Sequence, residues 1–142
     1  VEAESRKIGA LRVPEGLLKR MRESGCVRIE VPVAERVRFL IAEYRHFLDE
    51  PAWLKTQLSR LTALHSKATV ARWIAQIDAG GWDDLVGDLL ATHYDPAYLR
   101  SMRANYPGLA DAAVLNAACL NDAGLELSAC ALLGSAFPDA RV

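Results

Sequence analysis

The sequence predicts a helix-dominated α/β fold. Three observations carry this: helical periodicity along most of the chain, one short apolar run of strand character towards each end, and a long helical stretch between those runs. The connection from "VRIEV" to "AAVLN" covers about eighty residues, far more than the roughly 10–15 of a simple βα crossover. A large helical insertion at about 49–106 within an α/β domain is the economical reading. An all-helical bundle with two irregular segments is the alternative.

Each element has a local reason. "PEGLLKRMRES" places proline at a first helical position, with Leu17, Leu18 and Met21 on one face. "CVRIEVP" alternates, so Val27, Ile29 and Val31 point one way and Arg28 and Glu30 the other, a short strand closed by Pro32. Val33, Val37, Leu40, Ile41, Tyr44 and Leu48 then follow the helical repeat, with Glu35, Arg36, Arg38, Glu43 and Arg45 opposite. Asp49 before Glu50-Pro51 reads as the N-cap of a helix carrying Leu54, Leu58 and Leu61.

After a break near "HSK", Val70, Trp73, Ile74 and Ile77 form a stripe that Gly80-Gly81 ends. Leu85, Val86, Leu89 and Leu90 mark the next helix. Asp95-Pro96 reads as a cap and first turn opening a helix through Tyr98, Leu99 and Met102. "DAAVLNAA" is the second strand candidate, and a last helix runs from about Asp122 to Gly134.

Composition narrows the function classes. The 142 residues make one domain or a large piece of one, half apolar and a quarter charged. A net charge of −1 argues against a generic polyanion binder. No apolar run approaches the roughly 20 residues of a membrane span, and "VEAESRK" lacks the apolar centre of a signal peptide. Cys26, Cys119 and Cys130, odd in number and without CxxC spacing, suit reduced thiols in a cytosolic setting. Val1 is not Met, and the expectation is a processed chain or a fragment.

Two stretches concentrate reactive chemistry. "EAESR" holds Glu2, Glu4, Ser5 and Arg6. At the carboxyl end of a strand, such carboxylates orient water or magnesium and the guanidinium pairs with phosphate; the plain alternative is a solvated loop. "THYDPAYLRS" crowds His93, Tyr94, Asp95, Tyr98, Arg100 and Ser101 around one proline. Capping explains Asp95 and Pro96 and leaves the others unexplained, so the joint is either architecture or a ligand contact.

Elsewhere, Arg36, Arg38, Arg45, Arg60, Lys67 and Arg72 alternate with acids, as a solvated helical face does. Trp53, Trp73 and Trp82 have the chemistry to stack bases, but Trp73 lies in an apolar stripe and reads as core. His46, His65 and His93 show no metal-ligand spacing, so no metal is assigned.

Together, "EAESRKIG", "RIEVPVAERV" and "RWIAQIDAGGWDDLVGDLLATHYDPAYLRS" resemble the C-terminal part of the tRNA 2-selenouridine synthase family, from about Glu2 to about Leu133. The resemblance implies a partial P-loop-type α/β domain, with "EAESR" after the strand bearing a Walker-B-like acid and the helical insertion as a lid or tRNA-facing part. It implies a transferase that exchanges sulfur for selenium at a wobble 2-thiouridine of tRNA, with a geranylated intermediate. Selenophosphate and geranyl diphosphate would be the family's substrates, and tRNA the partner.

The chain contains neither GxxxxGK[ST] nor a rhodanese loop. The expectation is therefore no catalytic residue and no bound cofactor in this chain, with the rhodanese and P-loop parts of the same protein as its missing neighbours. Glu2, Glu4, Ser5 and Arg6 would lie near phosphate or metal. His93, Tyr94, Asp95, Tyr98, Arg100 and Ser101 would lie near substrate. Another P-loop transferase, such as a small-molecule kinase, is the runner-up, and a helical interaction module is the third reading.

Overall fold

A computed structural model describes residues 7–136. The chain divides into two compact units, one from its two ends, up to Val31 and from Tyr94 on, and one from Pro32–His93. The fold is α/β and strongly helix-dominated.

In the first unit, β1 (Lys7–Ile8) and β2 (Leu11–Arg12) form an antiparallel hairpin. Gly9 at its turn has φ 60° and Ala10 does not share the positive angle, the pattern of a type II′ turn. Helix α1 (Glu15–Glu23) follows, then β3 (Val27–Glu30). Pro14 stands one position before the helix rather than inside it, and its carbonyl accepts from Leu17 and Leu18.

β3 pairs in parallel with β4 (Ala113–Asn116), Val27 opposite Ala113 and Glu30 opposite Asn116. This parallel pair excludes the all-helical alternative. Helix α7 (Asp95–Asn105), the turn Pro107–Leu109 and helix α8 (Asp122–Ala136) complete the unit. α1 and α7 both pack on that turn, and Arg22 Nη2 donates to Asn105 Oδ1 at 3.2 Å. Leu18 and Ala117 are buried. The alternation in β3 does not bury one face, because Val27 and Ile29 both stay about half exposed, as does Val114 of β4.

The second unit holds the larger core. It comprises α2 (Val33–Glu43), α3 (Arg45–Leu48), α4 (Pro51–Ser59), a 3₁₀ turn (Arg60–Ala63), α5 (Lys67–Asp78), α6 (Trp82–Leu89) and most of a π turn (Leu90–Tyr94). Leu58, Val70, Trp73, Ile77 and Leu85 are buried together, with Leu54, Leu61, Ile74, Trp82 and Leu89 packed around them. All but Trp82 are the stripe positions the helical repeat selects. The unit's bounds differ from the insertion expected at about 49–106: α2 packs on α6 and joins it, whereas α7 packs on the Pro107–Leu109 turn and leaves it.

Two local expectations change, and one break gains its cap. The helix expected through Leu48 breaks at Tyr44, which leaves helical geometry at φ −100°, ψ 26°. Asp49 does not cap α4: it closes α3 in helical geometry, so Glu50 takes the cap position, without a side-chain bond. At "HSK" the cap is Ser66, whose Oγ accepts from the Thr69 amide at 3.1 Å.

The end of α5 is the sharpest local signal. Gly81 donates to the Gln76 carbonyl at 2.9 Å and Gly80 to the Ile77 carbonyl at 3.0 Å, the paired bonds of a Schellman cap. Gly80 carries φ 67°, and a Cβ there meets nothing within 4 Å. The requirement is purely one of backbone angle. Gly80→Ala should therefore lower stability by about 1–2 kcal/mol. Gly80→Asn should lower it less, since Asn tolerates this region better. Urea midpoints of the two variants check the order.

Candidate functional site

The "THYDPAYLRS" stretch is not a helix start. α6 runs through helical geometry at Leu90 into the π turn, which runs directly into α7. Asp95 is thus already helical. Tyr94 occupies the cap position with φ −71°, ψ −56° and no side-chain cap bond. A cap has nothing to satisfy where the preceding turn is itself helical. π turns carry an extra residue, and such bulges recur at functional sites.

The unit boundary falls between His93 and Tyr94. In the strand-containing unit, Tyr94 and Tyr98 are about half exposed, Arg100 is exposed, and Asp95 and Ser101 are half-buried. Tyr98 and Ser101, three apart on α7, share a side. The Ser101 carbonyl accepts from Asn105 Nδ2 at 2.8 Å.

His93 belongs to the helical unit and meets a residue the sequence set aside. Its Nδ1 lies 2.9 Å from Nε2 of His65, with the rings at 72°. His65 sits just before the Ser66 cap and places its ring edge-on to Trp73, centroids 5.1 Å apart. The Trp73 indole Nε1 donates to Asp88 Oδ2 at 3.1 Å. Arg72 grips the same carboxylate from Nε at 2.7 Å and Nη2 at 3.0 Å. Thr92 Oγ1 donates to the Asp88 carbonyl at 2.6 Å. The Arg72 value is raised, chiefly by its hydrogen bond to Asp88.

The His65–His93 contact requires one nitrogen to donate and the other to accept. It can hold one proton between two rings, and it opposes a second. Desolvation, then the nearby His65, lowers the His93 pKa. No sequence spacing announces this pair, because only the packing of α5 and α6 brings residues 65 and 93 together.

The other expected residues divide. Glu2, Glu4, Ser5 and Arg6 lie outside the described residues. The basic side chains are mostly engaged: Arg38 with Glu35, Lys55 with Asp78, Arg60 with Gln57 and Arg72 with Asp88. Trp73 is fully buried, whereas Trp53 is 44% exposed and stacks on Phe47. Cys26 stands just before β3, and Cys26, Cys119 and Cys130 are free thiols. Among the described residues, no group of three or more His, Cys, Asp or Glu is placed to hold a metal. No described helix is long and apolar enough to cross a membrane.

The histidine pair has a pH signature. A base whose folded pKa is lowered takes up its proton later than the unfolded chain does. The stability linked to His93 should be complete above the ordinary value of 6.5 and fall as pH drops below it, levelling off once folded His93 is also protonated. His93→Gln should flatten this acid-side slope in urea midpoints measured across pH.

Comparison with curated proteins and with solved structures gives no match. Comparison with protein families gives one: residues 1–57 match the tRNA 2-selenouridine synthase AAA domain. That region includes β1 to α3 and most of α4, and it contains both "EAESRKIG" and "RIEVPVAERV". Residues 1–57 are thus similar to the AAA domain of the tRNA 2-selenouridine synthase family, the family that the chain's motifs resemble.

Proposed function

We propose that this chain is the tRNA-contacting part of a tRNA 2-selenouridine synthase. In that reading the complete enzyme exchanges the sulfur of a wobble 2-thiouridine for selenium from selenophosphate, through a geranylated intermediate. The observation that carries the reading is the family match over residues 1–57. The "THYDPAYLRS" run, outside that match, supports it by resemblance.

The chain's own residues then bind and position. The nucleophile and the phosphate loop belong to other parts of the enzyme. Glu2, Glu4, Ser5 and Arg6 stand near phosphate or metal in this reading. His93, Tyr94, Asp95, Tyr98, Arg100 and Ser101 stand near the substrate. Exposed Arg100 suits an RNA phosphate, which a guanidinium grips with two parallel hydrogen bonds.

Two measurements test this. The sequence lacks the glycine-rich loop whose amides cradle phosphates, so calorimetry should find only weak ATP or GTP binding by this chain. Micromolar affinity would contradict the assignment. In the full-length enzyme, Arg100→Ala should reduce tRNA affinity or turnover and leave the melting temperature nearly unchanged. Loss of stability with full activity per folded molecule would make Arg100 an internal tether instead.

A further inference from the structure

The corner where α2 gives way to α3 and α4 gathers four aromatic rings in the helical unit. Tyr44 and Phe47 lie parallel, with centroids 5.7 Å apart and planes at 1°. Phe47 and Trp53 are stacked at 5.1 Å and 19°. The His46 ring is 4.1 Å from Phe47. Phe47 is half-buried between its neighbours, while Tyr44 and Trp53 remain 47% and 44% exposed. Three nearly parallel rings with open outer members form a ladder rather than a closed core.

The charge around the ladder selects the occupant. Arg45, between Tyr44 and His46, is exposed and makes no ion pair among the described residues, unlike Arg38 and Arg72. Glu43, Asp49 and Glu50 are exposed beside it in sequence. That many carboxylates oppose a track of phosphates, yet they accept hydrogen bonds from the amino groups of bases. Aromatic faces stack on any unpaired base. A lone guanidinium supplies at most one phosphate contact.

We propose that Tyr44, Phe47 and Trp53 form a stacking platform for an unpaired base of the RNA substrate, with Arg45 holding the adjoining phosphate. This rests on the tRNA reading above and adds the site and the chemical form of the contact. All four residues fall within the region matched to the tRNA-modifying family.

The test uses the full-length protein with unfractionated tRNA and a short single-stranded oligoribonucleotide of mixed sequence. Trp53→Leu removes the ring and keeps an apolar side chain, whereas Trp53→Phe keeps a stacking face. Trp53→Leu should weaken binding to both ligands roughly five- to a hundredfold, with Trp53→Phe restoring most of it. The slope of affinity against salt should not change, because stacking releases no counterions. Circular dichroism confirms that both variants are folded.

Unchanged tRNA affinity in folded Trp53→Leu overturns the platform and leaves the tRNA reading standing. An equal loss in Trp53→Phe and Trp53→Leu also overturns it, as does a change in the protein's own association state without a change in RNA affinity. Failure of the wild-type protein to bind tRNA sinks both.

Discussion

The helical unit depends on one side chain, Trp73. Its indole is the largest fully buried group, and its ring N–H would be stranded in the interior without an acceptor. Asp88 supplies that acceptor from α6, and Arg72, one residue before Trp73, holds the carboxylate in place. Burial and polar satisfaction therefore act through the same two helices. Truncating Trp73 would combine a cavity, which for a large aromatic costs about 3–5 kcal/mol, with an Asp88 lacking one donor. His65 packs in a T-shaped contact with the same indole, so the histidine pair is tied to how this one ring is packed.

Much of the fold was legible because it is written in period. The 3.6-residue stripe marked Val70, Trp73 and Ile77, the alternation marked β3, and Gly80-Gly81 marked the end of α5. The β1–β2 hairpin is not legible in the sequence, since strands of two residues carry no periodic signal. The π turn is not legible either, because Asp-Pro has the form of a cap and first turn whether or not the preceding turn is helical. The pairing of His65 with His93 carries no signal in the sequence, because the two are distant along the chain.

The strand pair shows the opposite limit. Its pairing was legible in outline and its burial was not. Alternation says which residues share a face, and it does not say what covers that face. Val27, Ile29 and Val114 have the composition of interior strands, yet they stay about half exposed. Parallel sheets elsewhere are covered on both sides.

The edge contact between His65 and Trp73 also has an optical consequence. An imidazolium is a stronger quencher of indole fluorescence than a neutral imidazole. A buried indole emits to the blue of an exposed one, so Trp73 is spectrally separable from Trp53. With Trp82, which packs around the same core, replaced by phenylalanine, the blue edge of the emission reports the charge beside Trp73 in the folded protein, with no label attached.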